Sequence, residues 1–349
     1  LKAWRGFRDR DYLETVEGLM FTVVSNLHPR DKVVAYLKYV PSPAGRWGAG
    51  ARRYGRAMPY YDVPSLLNTI SFLEENYPHY VHWMEELGIK MSAVPLSYIK
   101  RHFKPEERLQ EVLDEPRDEL EGLAAELAAL IIDRAEVPTS SLGVTGSLLI
   151  GIHRPEFSDV DLVVYGRGSA LKVRGAVKEL LEEGRLERVG GAKLEELVER
   201  RMKVYHLSRQ EALEVTRRRW NRGVFKGRDF SIHPVKVEGE VQGRFEDRLC
   251  RGLSMAEVEA TVVDDSEALF MPATYRVADV KVLEGPKQAE GVEEVVSYEG
   301  LHVDLVHDGE GLRARGKLEE VVDRGGGRYL RILIGGPEAG GWDYLKPLT

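Results

Sequence analysis

Residues 146–161 read Gly-Ser-Leu-Leu-Ile-Gly-Ile-His-Arg-Pro-Glu-Phe-Ser-Asp-Val-Asp. Two aspartates, Asp159 and Asp161, stand one residue apart at the entry to an apolar run that continues Leu162-Val163-Val164. In a strand, that spacing projects both carboxylates from one face and turns Val160 and Leu162 into the core. Ionised carboxylates this close repel each other unless a cation lies between them. Hard oxygen ligands in this arrangement suit Mg²⁺, with Mn²⁺ as a substitute, and Mg²⁺ is typically shared with substrate phosphates. Gly146 and Ser147 supply the other half. A glycine lets the backbone approach a phosphate, and the amides of such a turn, with the Ser147 hydroxyl, can donate to phosphate oxygens. Gly151 and the Arg154-Pro155 pair shape the loop between, and Arg154 joins Gly146 and Ser147 as a candidate nucleotide contact.

The flanking sequence sets this stretch in a domain. Leu120, Leu123, Leu127, Leu130 and Ile131 recur at helical steps between Arg117 and Ala135, and Pro138 ends them. Leu142–Thr145 reads as a short strand entering Gly146. Val160–Val164 reads as a second, ended by Gly166. Ala170–Leu181, Leu194–Met202 and Ser208–Trp220 read as helices, and Arg228–Val237 alternates like a strand.

With those elements in place, the pattern resembles the nucleotidyltransferase superfamily typified by DNA polymerase beta. The shared pattern is Gly-Ser, three residues, Gly, a short loop ending in Ser, then Asp-x-Asp in an apolar strand. Small stand-alone nucleotidyltransferases and tRNA CCA-adding enzymes have it too. The resemblance is sharp over residues 142–165 and looser from Arg117 to Val237. The chain as a whole also resembles a group of archaeal predicted nucleotidyltransferases. The resemblance implies a mixed sheet flanked by helices, a nucleoside triphosphate such as ATP, two Mg²⁺ ions, a hydroxyl that attacks the α-phosphorus, and pyrophosphate as leaving group. It implies that Gly146 and Ser147 hold phosphates and that Asp159 and Asp161 bind metal. It also implies a third carboxylate on a neighbouring strand.

Asp229 is the choice for that third acid, because alternation in Arg228–Pro234 puts Asp229, Ser231 and His233 on one face. The CCA-adding pattern places the acid three residues before the proline, where Ser231 stands here. Glu238 is the weaker substitute. His233, on the Asp229 face, is a second-tier candidate. His153 lies in the phosphate-turn loop, where facing substrate is weighed against an ordinary loop role.

Three regions are expected in an α+β chain: an α/β N-terminal region at 1–105, the nucleotidyltransferase domain at 106–249, and an all-β domain at 250–349. The first opens with apolar, β-rich runs at Leu19–Val24 and Val33–Val40. A Pro/Gly/Arg loop from Pro41 to Met58 follows, then helices at Leu66–Glu75 and Val81–Leu87. In that loop Arg46, Trp47, Arg52, Arg53, Tyr54 and Arg56 interleave basic and aromatic residues. This suits single-stranded nucleic acid, or a plain surface loop. Arg217, Arg218, Arg219 and Arg222 around Trp220 are open to either a phosphate contact or a solvated helix end. In the last region Val258–Val263, Tyr275–Leu283, Val292–Tyr298, Leu301–Val306, Leu312–Leu318 and Tyr329–Ile334 read as strands of a small all-β module, with a barrel as one arrangement open to it.

The net charge of −7 is unevenly spread: residues 1–105 balance at +5 and residues 250–349 at −8. A polyanion such as RNA therefore meets the N-terminal part more readily, and the C-terminal module is better read as a packing or homo-oligomer surface. Cys250 is the single cysteine, which excludes disulfide frameworks and fits a reducing cytoplasm. No charged-then-apolar leader and no membrane-length apolar stretch is present, so a cytoplasmic location is expected. Charged residues at 31% with only eight Asn and Gln lean toward a thermophilic source. The expected function is nucleotidyl transfer from a nucleoside triphosphate to an acceptor hydroxyl, RNA or tRNA-like. Two alternatives stand beside it: a catalytically silent nucleotide- or RNA-binding protein on the same fold, and an enzyme that modifies a small molecule or a protein.

Overall fold

The computed structural model describes residues 5–58, 63–339 and 341–348. In chain order the elements begin with β1 (Tyr12–Thr15), β2 (Met20–Val23), β3 (Lys32–Pro41), β4 (Trp47–Ala49) and β5 (Arg52–Arg56). Next come α1 (Val63–Asn76), β6 (Val81–Met84), β7 (Ile89–Pro95), β8 (Ile99–Phe103), α2 (Pro105–Asp114) and α3 (Glu119–Ala135). The central stretch holds β9 (Leu142–Val144), α4 (Gly146–Leu149), β10 (Val160–Tyr165), α5 (Arg167–Glu182), α6 (Gly191–Val204), α7 (Arg209–Arg218), β11 (Arg222–Phe225) and β12 (Arg228–Val235). The chain closes with β13 (Arg248–Asp264), β14 (Ala273–Glu284), β15 (Val292–Ser297), β16 (Gly311–Asp323), β17 (Arg328–Ile334) and β18 (Tyr344–Pro347). The protein is thus a mixed α+β molecule. Among the described residues, no helix is long and apolar enough to cross a membrane.

Two compact units are threaded from discontinuous segments. The first takes residues 1–58, 93–190 and 220–242; the second takes 59–92, 191–219 and 243–349.

The first unit contains a four-stranded sheet in the order β11-β12-β10-β9, with β10 and β12 parallel and the other pairs antiparallel. Parallel neighbours need a long crossover, supplied here by everything between Tyr165 and Arg228. α3 and α5 pack on each other and on β10. α3 starts where Asp118 caps it by accepting from the Glu121 N–H at 3.0 Å. Its stripe of Leu120, Ala124, Leu127, Ala128 and Ile131 is buried. It stops at Glu136, which turns left-handed at φ 49°. The unit's second sheet runs β4-β5-β3-β2-β1-β8, with Ala93–Pro95 of β7 also paired to β3.

The second unit is dominated by a closed barrel. β13 pairs antiparallel with both β14 and β16, β14 with β15, β15 runs parallel to β17, and β17 pairs with β16. That ring of five closes on itself, and β18 adds to β16. In strand order it is a first-second-third-fifth-fourth barrel. Its interior is filled by Val258, Tyr275, Val295, Leu312, Ala314, Ile332 and Ile334, and α6 and α7 bring Val198, Ala212 and Val215 to the same core. Long strands of a closed ring leave few edges to protect, which suits a module with six apolar β-runs.

Three expectations from sequence are corrected. Val81–Leu87 is not a helix. Val81–Met84 is β6, paired to Ile89–Ser92 of β7 through a turn in which Gly88 takes φ +60°. In so short a stretch, Val-His-Trp-Met-Glu-Glu-Leu, helix and strand cannot be told apart by period alone. The Pro41–Met58 segment is not an open loop: β4 and β5 form a hairpin on the edge of β3. Gly48 (φ +79°) makes that hairpin feasible, because a Cβ there would lie 2.0 Å from the Arg52 carbonyl oxygen. Leu301–Val306 is not a strand but a short 3-10 turn at Gly300–His302, followed by Asp304 in the left-handed region at φ 53°. Leu301, Leu305 and Val306 are apolar because they plug the barrel core.

Candidate functional site

Register in the four-stranded sheet decides which side chains meet. β10 and β12 pair Asp161 with Ser231 and Val163 with His233. β11 and β12 pair Arg222 with Ser231. Residues opposite one another on adjacent strands share a face, so Arg222, Ser231 and Asp161 form one row. Beyond it the Thr145 N–H donates to the Asp161 carbonyl at 2.8 Å, which brings the Gly-Ser turn to the end of the same row. Two residues earlier on β12, alternation puts Asp229 on this face as well, while Asp159 lies in the loop just before β10. Asp159 is exposed, while Asp161 and Asp229 are half-buried.

Ser231 binds Asp161 directly, its hydroxyl donating to Oδ1. The hydroxyl also lies 2.8 Å from His233 Nε2. A hydroxyl has one proton to give. With that proton on Asp161, Ser231 accepts from His233, which places the imidazole proton on Nε2. The serine that stands where the CCA-adding pattern has an acid thus orients Asp161.

Gly146 explains itself through the same carboxylate. It adopts φ +65°, and a Cβ there would sit 2.6 Å from Asp161 Oδ2. Only glycine allows both the backbone and the approach. The turn it opens is one helical turn, α4, and Ser147 within it is buried, its carbonyl accepting from the Ile152 N–H at 3.1 Å. Thr145 Oγ1 fixes the entry by donating to the Arg10 carbonyl at 2.8 Å.

Other candidates are placed differently. Arg154 is spent on its own loop: its guanidinium donates to Glu156 at 3.2 Å and to the Gly48 carbonyl at 3.3 Å. His153 Nε2 lies 2.7 Å from Asp118, the cap of α3, which makes it a strut of the loop. Burial works against ionisation of Asp118, yet the Glu121 N–H and His153 hold it below the usual carboxylate range. Glu238 lies past the far end of β12 and pairs with Arg8. With β10 and β12 parallel, the length of the strand separates it from Asp159. Arg218 pairs with Glu214 and Glu310, and Trp220 is buried, so of that cluster only Arg222 lies on the row.

The basic hairpin seats itself beside the loop. The Gly48 N–H donates to the Ile152 carbonyl at 2.7 Å. Trp47 meets Phe157 edge-on at 5.6 Å and Tyr39 at 5.7 Å, and Tyr54 is buried. The aromatics are therefore used in packing, whereas Arg46, Arg52 and Arg53 are exposed. The hairpin offers charge without a base-stacking platform.

One residue escaped the sequence reading altogether. Lys38 is 2% exposed, and its Nζ donates to the Met58 carbonyl at 3.2 Å. Burial, then repulsion from Arg56, Arg10 and Arg222, holds its pKa well below the usual lysine range, with Asp161 acting in the opposite sense. A lone lysine within Ala-Tyr-Leu-Lys-Tyr-Val carries no motif, so only tertiary placement reveals it.

Hard carboxylate oxygens on one face, backed by a glycine whose missing Cβ leaves Asp161 Oδ2 uncovered, fit a divalent cation. Among the described residues, the trios whose ligand atoms already lie within 4.8 Å of one another are elsewhere: Asp118, Glu121 and His153, and Asp265, Asp304 and His307. In the first, Glu121 is taken by Arg108 and the Arg117 N–H.

No family profile matches the chain, and no solved structure does. The sequence is 32% identical over 343 residues to the uncharacterized protein MJ1086 of Methanocaldococcus jannaschii, an alignment that covers 97% of this chain and 98% of that one.

Proposed function

The chain belongs to one family with that archaeal protein, and we propose that it is a nucleotidyltransferase of the polymerase-beta type. The observation that carries this reading is the row that sets the Gly146-Ser147 turn against Asp161, with Asp229 on the same face and Asp159 at the entry to β10. In it, Asp159, Asp161 and Asp229 hold Mg²⁺ or Mn²⁺, and the Gly146–Ser147 turn receives the β- and γ-phosphates of a nucleoside triphosphate. The bound metal supplies charge neutralisation at the phosphates and lowers the pKa of the attacking hydroxyl. Ser231 holds Asp161 Oδ1, which leaves Oδ2 toward the turn. Arg222 lies on the same row and offsets charge on the phosphate oxygens. The acceptor oxygen bonds to the α-phosphorus, the bond to the bridging oxygen breaks, pyrophosphate leaves, and the hydroxyl proton passes to Asp229. Most of the rate comes from positioning and electrostatic stabilisation.

The acceptor favoured is RNA. Arg46, Arg52 and Arg53 are exposed on a hairpin hydrogen-bonded to the loop that joins the turn to the acids. Without stacked aromatics, contact is to phosphates and carries little sequence preference.

A second reading has one observation in its favour. Ser231 stands where the CCA-adding pattern carries its acid, so the face would bind nucleotide without turning it over. Incubation with labelled nucleoside triphosphates, Mg²⁺ or Mn²⁺ and pooled RNA separates the two. Transfer predicts a labelled acceptor and pyrophosphate, with a loss on the order of a thousandfold or more in Asp159→Ala/Asp161→Ala. Undiminished transfer by the double variant sinks the assignment; binding without turnover by the wild type selects the silent reading.

A further inference from the structure

We propose that the β4–β5 hairpin positions Asp159 by gripping the loop before it, so that an RNA acceptor on the hairpin and a metal ion on the acids strengthen each other's binding. The inference rests on the nucleotidyltransferase reading and adds a regulation of that site, with Phe157 as its positioning residue. The loop from Gly151 to Ser158 closes on itself. The Arg154 N–H donates to Ser158 Oγ at 2.9 Å, and the Phe157 and Ser158 N–H groups donate to the Arg154 carbonyl at 3.1 and 2.8 Å. Asp159 follows at once. Contiguous hydrogen bonds and packed side chains of this kind can carry coupling between two sites.

The hairpin holds that loop at both ends. The Gly48 N–H donates to the Ile152 carbonyl at 2.7 Å, and the Gly48 carbonyl accepts from Arg154 Nη1 at 3.3 Å. The Phe157 ring, two residues before Asp159, is met edge-on by Trp47 at 5.6 Å and carries the Arg46 guanidinium over its face at 4.8 Å. From β12, Arg228, the neighbour of Asp229, donates to the Pro155 carbonyl at 2.6 Å. The loop thus ties the hairpin to Asp159 and to the strand of Asp229. Arg46 has a second use, because it is exposed with Arg52 and Arg53. A guanidinium can stack on a ring and still donate from its edge to a phosphate. An RNA phosphate on Arg46 fixes the guanidinium over Phe157, and Phe157 fixes the loop. A cation on Asp159 fixes the same loop from its other end. Each ligand then finds part of the ordering already done, which couples the two favourably.

Mn²⁺ titration of the full chain, with free Mn²⁺ read by electron paramagnetic resonance, tests this with and without saturating single-stranded oligouridylate. Oligouridylate should tighten Mn²⁺ by about fivefold or more, and Mn²⁺ should tighten oligouridylate by the same factor, as linkage requires. Phe157→Ala should lose most of that factor, whereas Phe157→Tyr, which keeps a ring beneath Arg46, should retain it. Phe157 is 36% exposed, so cutting it back opens no core cavity and both variants should fold. A metal that only offsets the charge of the acids would also help RNA approach, but through space and without the Phe157 ring. A factor unchanged in Phe157→Ala therefore overturns the proposal. So does a wild type that shows no coupling, or one with no affinity for oligouridylate. Labelled nucleotide transfer by the wild type leaves the nucleotidyltransferase reading standing in each of those cases. Mn²⁺ held equally by wild type and Asp159→Ala/Asp161→Ala, with no transfer, overturns both.

Discussion

Lys38 in the first unit and Lys317 in the second are both buried lysines on strands, and their pKa values move in opposite directions. Lys317 lies 2.7 Å from Glu338 and 3.3 Å from Glu319. Burial disfavours its charge, but the hydrogen bond it donates to Glu338 and the nearby Glu319 raise its pKa above the usual range. Glu319 in turn receives Arg331 Nε at 2.9 Å, and Arg331 reaches Cys250 Sγ at 3.1 Å. Lys38 donates to the Met58 carbonyl, and burial, with repulsion from Arg56, Arg10 and Arg222, lowers its pKa against the pull of Asp161. The barrel closes its charges internally, as a part built for stability does. The face of the four-stranded sheet instead sets Asp161, Ser231 and Arg222 in one row, with Asp161 and Asp229 only half-buried.

The largest effect should come from breaking the closed set. Glu319 is fully buried, and Glu319→Gln leaves Arg331 and Lys317 underpaid in charge. A loss of about 3–5 kcal/mol is expected in denaturant unfolding of the second unit. A loss under about 1 kcal/mol would show that the network is not what distinguishes the barrel.

Acid should come next, and it probes both units. Burial lowers His28 to about 4 and, with repulsion from Arg219, lowers His302 to about 3. Each is neutral when folded and gains a proton near pH 6.5 when unfolded. Their contribution is therefore complete above pH 6.5 and is lost as pH falls toward the folded values. By pH 5, above the carboxylate range, the loss is about 2 kcal/mol per histidine. Melting temperature should fall between pH 7 and 5, and His28→Gln or His302→Gln should flatten that slope whatever its own baseline. A flat wild-type profile contradicts the assignment.

The smallest effect on stability is expected at the hairpin. Replacing Arg46, Arg52 and Arg53 together by Ala should change unfolding free energy by no more than about 0.5 kcal/mol. If the hairpin holds an RNA acceptor, the slope of log K against log salt for single-stranded RNA should shrink by about 2. An unchanged slope removes the hairpin from the acceptor path.

Much of the first unit's sheet was legible. Leu142–Thr145, Val160–Val164 and Arg228–Val237 were readable as strands, because apolar runs bounded by Gly and Pro announce themselves locally. α3, α5 and α6 were readable from stripes at helical steps. β6 and the hairpin were not, since short runs and glycine-rich loops become strands only when a partner offers hydrogen bonds. In the barrel Leu301–Val306 misled because a buried plug and a buried strand share a composition. At the candidate site, Asp159, Asp161 and Gly146 could be singled out by spacing. The use of Arg154 on Glu156 and Gly48 could not, because a guanidinium between a phosphate turn and an acid can go either way.

The sequence by itself singled out the Gly146 turn and the paired acids Asp159 and Asp161, because residue spacing is a local signal. Tertiary structure decided that Ser231 would hold Asp161, that Arg222 would stand on their row, and that a bulge in β3 would fall at the buried Lys38. Those depend on register between strands dozens to nearly two hundred residues apart, and register is set by packing and by which backbone groups find partners, neither of which is written in any one segment.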